Sequence, residues 1–316
     1  MPPHSCSERR YPHHAYREET ISSGGLPIVL SVWERHPAAC TVLFYPSTMA
    51  SPLLHRFFLE ELWGMGLNVV GLHPLGHGKS STKNKKFTFQ DILRNGLDAV
   101  DWITRTMRGP VVIAGHSQGG ILALAHVAQD ARPAAAFPLC TLLPQHPKAG
   151  TVTRFRRLLR HKERLLAVLR TGSRVFPLLP IFMPCYLELG RITAGAAKPR
   201  TDLREMRGHY PLCFVYSLFS ADLSAACVDG NISCPVVLMQ ADNDALFTLP
   251  VARDMFACIR APEKRLALIH GGGHMAPLCS PFATEIAARI AAHCAGYGLP
   301  LHACGDTTTG QDSHEL

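Results

Sequence analysis

The sequence predicts an α/β fold with a mostly parallel central sheet flanked by helices and an inserted, mainly helical cap. Three observations carry this reading. Short runs rich in Val, Ile and Leu alternate with longer amphipathic runs over most of the 316 residues. The alternation lapses between about residues 146 and 231, then resumes. A serine among glycines, Gly115-His116-Ser117-Gln118-Gly119-Gly120, joins an apolar run to a small-residue run. Continuous apolar strands separated by helices describe a parallel sheet covered on both faces.

Taken in order, LPIVLSVWER from Leu26 and CTVLFYP from Cys40 read as short strands, and PLLHRFFLEELWGMG from Pro52 has the apolar spacing of a helix. LNVVGLHP from Leu67 is a strand that ends in a Gly-rich loop. FTFQDILRNGLDAVDWITRTM is an amphipathic helix with Ile92, Leu97, Val100 and Ile103 on one side. GPVVIAG is a strand, GGILALAHVAQD a helix and AAAFPLCTLL another strand. Beyond the interruption come strand CPVVLMQA, helix PVARDMFACI, strand KRLALIHG and helix PFATEIAARIAAHCA. The expected organisation is therefore a flexible N-terminus over 1–16, a core formed by 17–145 and 232–295, a cap over 146–231, and a frayed tail over 296–316.

Composition narrows the class. A 47% hydrophobic, 18% charged chain is that of a globular protein. Met1–Glu19 is polar and lacks the apolar core of a signal peptide. The longest apolar stretch, FPLLPIFMPCYLELG, is too short to span a bilayer and contains Pro177, Pro180 and Pro184. Eleven cysteines without CxxC spacing fit free thiols in a reducing compartment better than disulfides or a zinc site. A soluble, cytoplasmic protein is the expectation.

When a strand feeds a helix through a very tight turn, the residue at the apex is strained, and its neighbours must be glycine so that strand and helix can approach. Gly115, Gly119 and Gly120 serve this purpose around Ser117, whose hydroxyl then projects above the sheet. The amide of Gln118 opens the helix and faces whatever the serine attacks. The plainer reading is a loop in which Ser117 only caps a helix. A serine needs a base to take its proton, and the base needs a carboxylate to fix its tautomer. RLALIHGGGHMAP offers His270 and His274; the latter is preferred because it lies in a loop beyond the strand. VVLMQADNDALFTLP offers Asp242 and Asp244; the latter is preferred because Asp242, next to the strand end, can turn the loop.

These residues carry a resemblance. Over about 17–295 the chain resembles α/β-hydrolases, and within them the lysophospholipase, monoacylglycerol lipase and serine aminopeptidase-like group with a helical cap. In that group the acid sits in Gly-x-x-Asp, matched by Ala241-Asp242-Asn243-Asp244, and the base in a Gly-x-His loop, matched by Gly272-Gly273-His274. The group's Gly-x-Gly-x-Ser loop is matched by Gly76-His77-Gly78-Lys79-Ser80. Relatives commonly carry His-Gly after the third strand, where the next amide completes an oxyanion hole. This chain has Tyr45-Pro46-Ser47-Thr48-Met49 instead. Pro46 has no N–H to donate, so the second amide is expected from Ser47 or Thr48. A second departure is His73, in place of the Asp that relatives carry; a structural role is expected for it.

The cap region holds the chain's net charge. Lys148–Asp229 contains 14 Lys/Arg against 6 Asp/Glu, equal to the whole chain's +8. TRFRRLLRHKERLLAVLRTGSR places Phe155, Leu158, Leu159, Leu165, Leu166 and Leu169 near one helical face, with arginines such as Arg156, Arg157 and Arg160 around it. This is either a helix docked on the core with a solvated basic back, or a lip that meets an anionic lipid surface. Nucleic acid is not expected, because no aromatic stacking pattern accompanies the charge. VFPLLPIFMP suggests an acyl-accepting wall. The expected activity is hydrolysis of a carboxylic ester with an apolar acyl part, on a small-molecule or lipid-like substrate, by Ser117, His274 and Asp244 with amides of Gln118 and Ser47 or Thr48. That chemistry needs neither metal nor organic cofactor. Thioester hydrolysis, acyl transfer or peptide cleavage could use the same triad, and a binding protein could use the same scaffold.

Overall fold

The apolar runs assemble into one eight-stranded sheet in a computed structural model that describes residues 15–80, 86–154, 157, 161–194, 206–227 and 229–302. Its strands are β1 (Tyr16–Ser23), β2 (Leu26–Trp33), β3 (Thr41–Tyr45), β4 (Asn68–Leu72), β5 (Val111–His116), β6 (Ala136–Leu139), β9 (Val236–Ala241) and β10 (Lys264–Ile269). They lie in the order β1-β2-β4-β3-β5-β6-β9-β10. β2 pairs antiparallel with β1 and β4, and all pairs from β4 to β10 are parallel.

Every residue of β3, β4, β5, β6 and β9 is buried. Helices α1 (Arg56–Gly64) and α10 (Ser280–Gly296) contribute to the core on one face. Helices α2 (Phe89–Thr106), α3 (Gln118–Val127) and α9 (Leu249–Cys258) contribute to the core on the other. The start of α2 is set by a capping box: Thr88 Oγ1 accepts from Asp91 N–H, and Thr88 N–H donates to the Asp91 carboxylate. Such caps stabilise by about 1 kcal/mol. Ile92, Val100 and Ile103 are buried as expected, while Leu97 is half-buried.

At the termini the sequence reading omitted one strand, and one expectation changes. The polar leader gives way to β1 at Tyr16; its YREETISS sequence hides the strand because an edge strand pairs on one side only and leaves alternate residues in water. The C-terminal segment does not fray through His302. Leu299 and Leu301 pack on the α1/α10 core, Cys40 N–H donates to Pro300 O at 2.8 Å, and His302 N–H donates to Gly66 O at 3.0 Å. Residues 1–14 and 303–316 lie outside the described residues.

Between β6 and β9 the chain forms α4 (Lys162–Val175), β7 (Pro180–Phe182), α5 (Met183–Tyr186), α6 (Leu189–Ile192), β8 (His209–Pro211), α7 (Leu212–Phe219) and α8 (Ser224–Cys227). β7 and β8 pair as a small antiparallel ribbon. The basic helix is shorter than its sequence pattern: α4 begins at Lys162, and Phe155, Arg156, Leu158, Leu159 and Arg160 lie outside the described residues. Among the described residues no helix is long and apolar enough to cross a membrane.

Candidate active site

Because β3, β5, β6, β9 and β10 run parallel, the loops that follow them leave one edge of the sheet together. Brought there are Ser47 and Thr48 after β3, Ser117 after β5, Asp244 after β9 and His274 after β10. The three non-glycine residues with positive φ among the described residues, Met49 (67°), Ser117 (56°) and Cys140 (42°), follow β3, β5 and β6 at this edge. Each such conformation costs about 1–3 kcal/mol and persists only where its surroundings impose it.

At Ser117 the cause is the sharp passage from β5 into α3. Ser117 N–H donates to Leu139 O at 2.9 Å, and Thr141 Oγ1 donates to Ser117 O at 2.6 Å. A Cβ on Gly115 would lie 2.1 Å from Gly119 O, and one on Gly119 would lie 2.1 Å from Tyr45 O. Both distances are far inside van der Waals contact, so strand and helix can meet here only with glycine at these positions.

Ser117 Oγ lies 3.1 Å from His274 Nε2, and His274 Nδ1 lies 2.9 Å from Asp244 Oδ2. A carboxylate only accepts, so Nδ1 carries the ring hydrogen, Nε2 presents a lone pair, and the Ser117 hydroxyl donates to it. Asp244 is itself held: its Oδ1 accepts from Leu246 N–H and Phe247 N–H, both at 2.8 Å, and its Oδ2 from Gln240 Nε2 at 3.2 Å. Phe247 sets its ring edge against His274, with centroids 5.3 Å apart. Asp244 and His274 are 2% and 3% exposed. A serine hydroxyl, an imidazole and a buried carboxylate in this series can transfer a proton away from the serine as its oxygen attacks a carbonyl.

The alternatives pair with each other elsewhere. His270 Nδ1 bonds Asp242 Oδ2 at 2.9 Å, and Gly271 N–H donates to Asp242 Oδ1 at 2.8 Å. These contacts hold the Asp242 carboxyl below the usual carboxylate range, the His270 bond contributing most. The pair is solvent-facing and ties the β9 and β10 loops together. His73 has the structural role expected of it: it accepts from Lys79 N–H at Nδ1 and bonds Ser31 Oγ at Nε2.

Ser117, His274, Gln118, Ser47 and Thr48 all border one cleft. Among the described residues, no backbone or side-chain acceptor engages the N–H groups of Ser47, Thr48 or Gln118. The cleft walls are apolar and come from both the core (Ile121, Leu142) and the β6–β9 segment (Met183, Leu187, Leu218). No Asp, Glu, Lys or Arg is among its described lining residues. The run VFPLLPIFMP contributes only Met183 to this wall; Phe176, Leu178, Leu179 and Phe182 are exposed.

His116, beside Ser117 in sequence, is buried behind the site. Its Nε2 donates to His274 O at 2.9 Å, and its Nδ1 accepts from His55 Nε2 at 3.1 Å. Burial first, then the neighbouring His274 and His55, pushes His116 well below the usual histidine range. Sequence reasoning missed Gln240, Thr141 and this histidine pair. A glutamine in the otherwise apolar strand VVLMQA was the one visible signal among them.

The sheet order, the strained serine and the helices on both faces define an α/β-hydrolase fold, of the serine-hydrolase class of enzymes. The chain belongs to the serine aminopeptidase S33 family, Hydrolase_4, whose model matches residues 50–277. It is similar in structure to the Paleococcus ferrophilus monoacylglycerol lipase, with a TM-score of 0.63 and 16% identity over 89% of this chain and 99% of that one. A soluble variant of monoglyceride lipase from Saccharomyces cerevisiae, in complex with a substrate analog, gives 0.70 and 12% over 90% and 96%. A thermophilic esterase from Thermogutta terrifontis gives 0.59 and 18% over 89% and 99%. At these identities the likeness is one of fold. No curated protein matches the sequence.

Proposed function

We propose that this protein hydrolyses carboxylic esters whose acyl part is apolar, through an acyl-enzyme on Ser117. The observation that carries the reading is the hydrogen-bonded series Ser117, His274 and Asp244 opening into a cleft with apolar walls and no charged side chain among its described lining residues. His274 Nε2 takes the proton as Ser117 Oγ attacks the ester carbonyl, and Asp244 steadies the imidazolium. The oxyanion is received by the N–H of Gln118 and that of Ser47 or Thr48. His274 then protonates the leaving alcohol, and water activated by the same imidazole releases the acid. The β6–β9 segment acts as a cap, because its side chains wall the cleft above Ser117. An aminopeptidase would need a carboxylate to hold the substrate's ammonium group, and the described lining residues include none.

We also place the cap against anionic lipid. Val168, Val175, Phe176, Leu178, Leu179 and Phe182 are exposed, the exposed Arg170 and Arg174 lie among them in sequence with exposed Arg164 just before, and Met183 beside Phe182 lines the cleft. The buried, unbridged Cys40, Cys140, Cys213, Cys234 and Cys294 suit a reducing compartment such as the cytoplasm.

The test is labelling by a fluorophosphonate probe together with turnover of p-nitrophenyl esters from acetate to palmitate, beside acyl-CoA and aminoacyl substrates. Labelling and ester turnover are expected in the native protein, with turnover several orders of magnitude lower in Ser117→Ala and His274→Ala. Absence of labelling in the native protein would favour a binding role. Preference for an aminoacyl substrate would move the reading to peptide chemistry.

A further inference from the structure

The loop after β3 departs from the pattern of relatives, and its internal contacts account for only one of its turns. Its turn is closed by Ala50 N–H donating to Ser47 O at 3.1 Å, and it passes through Met49 in the left-handed region at φ 67°. A methionine has no local reason to sit there. Its restraint comes from a distant part of the chain, the stretch that leads into and forms β8. Met49 N–H donates to Tyr210 Oη at 2.6 Å, and Arg207 N–H donates to Met49 O at 2.6 Å. Ala50 and Met206 form a single antiparallel bridge. The Arg207 side chain continues the attachment by donating to Gly76 O.

The direction of the hydrogen bonds follows from what each group can do. Leu75 O accepts from His77 Nδ1 at 3.1 Å, so the ring hydrogen is on Nδ1 and Nε2 has a lone pair. Tyr210 Oη lies 2.5 Å from that lone pair and donates to it. The phenol oxygen is thereby left to accept from Met49 N–H. The series runs from Leu75 O through His77 and Tyr210 to Met49, with His77 and Tyr210 almost fully buried. Burial first, then the nearby Arg207, takes His77 down to about 4, so the imidazole is neutral at neutral pH.

We propose that Tyr210, oriented by His77, is a positioning residue for the oxyanion hole: its hydroxyl holds the Ser47–Met49 loop in the one conformation that aims a free amide at the carbonyl attacked by Ser117. This rests on the ester-hydrolase reading above and deepens it, because it makes the hole a joint product of core and cap. A cap displaced from β3 would lose the Met49 restraints and the amide alignment together. The plain alternative is an aromatic core residue, since Tyr210 stacks on Phe214 with centroids 4.8 Å apart. Tyr210→Phe keeps that stack and removes only the hydroxyl.

The experiment compares native protein, Tyr210→Phe, His77→Gln, which retains an acceptor, and His77→Leu, which does not. Turnover is normalised to active sites titrated with the fluorophosphonate, and amide hydrogen exchange is followed over Pro46–Ala50. Misaligning one donor is expected to lower kcat about ten- to a hundred-fold in Tyr210→Phe, with KM changed less than about threefold. Exchange at Met49 should accelerate at least about tenfold. His77→Leu should follow Tyr210→Phe, and His77→Gln should recover part of the loss. Unchanged kcat per active site, or a fall in kcat without faster exchange at Met49, would overturn the proposal. If the native protein turns over no ester, the hydrolase reading fails by itself, and the exchange comparison still decides whether Tyr210 restrains the loop.

Discussion

Asp242 and Asp244 stand two positions apart, and each holds a histidine. What separates them is what else reaches their oxygens. Asp244 accepts two backbone N–H groups and Gln240 before it meets His274, and it is buried, so its geometry is fixed and its bond to His274 is shielded from water. Asp242 meets an exposed His270, where solvent screens the pair. We therefore expect Asp244→Asn to lower ester kcat by about 10³- to 10⁴-fold, since the amide would favour the wrong imidazole tautomer. Asp242→Asn should leave kcat within about threefold. Steady-state kinetics on the two variants would decide it, and the opposite ranking would exchange their roles. The placing of Asp244 and His274 beside Ser117 was legible from loop position. The stabilising contacts from Leu246, Phe247 and Gln240 were not, because they depend on how the β9 loop curls back on its own strand.

At the scale of elements, buried strands were the most legible. VVIAGH and VVLMQA are apolar on both faces because helices lie on both, and such runs have few other uses. Edge strand β1 was missed for the opposite reason, its exposed alternate residues resembling a polar leader. In α4, Leu165, Leu166 and Leu169 are half-buried beside Phe219 of α7, as the helical spacing predicts. The exposed crest from Val175 to Phe182 was not legible, since its apolar run with prolines reads as an acyl-accepting wall. If that crest meets lipid, Phe176→Ser with Phe182→Ser should weaken sedimentation with anionic phosphatidylserine vesicles about tenfold or more, while turnover of a short soluble ester stays within about twofold. Equal sedimentation of native and variant protein would remove the interface and leave an exposed apolar crest without a function.

Across the whole molecule, several histidines are buried in neutral form. Burial takes His55 to about 3 and both His73 and His77 to about 4, and pushes His116 well below its ordinary value. In the unfolded chain each would titrate near 6.5. Between these values the unfolded state binds the extra protons, so stability is full above about pH 6.5 and falls as pH drops toward 4. By pH 5 the loss is roughly 2 kcal/mol for each of His55, His73 and His77. The melting temperature is expected to drop by several degrees from pH 7 to pH 5, and a flat profile over that interval would show that these side chains are solvated in the native protein.

Local chemistry determined the order of strands and helices, the glycines that let Ser117 sit at a strand-to-helix apex, and the loops that carry Asp244 and His274. Each of these depends on residues adjacent in the chain, or on a burial periodicity that adjacent residues display. Tertiary structure alone decided that Tyr210 and Arg207 would bond Met49, that Gln240 would reach Asp244, and that Ser47, Thr48 and Gln118 would line one apolar cleft. The physical reason is distance along the chain. The hydrogen bond between Met49 and Tyr210 joins positions 161 residues apart, and no local pattern carries the direction of a bond that only the packed β6–β9 segment and sheet bring within reach.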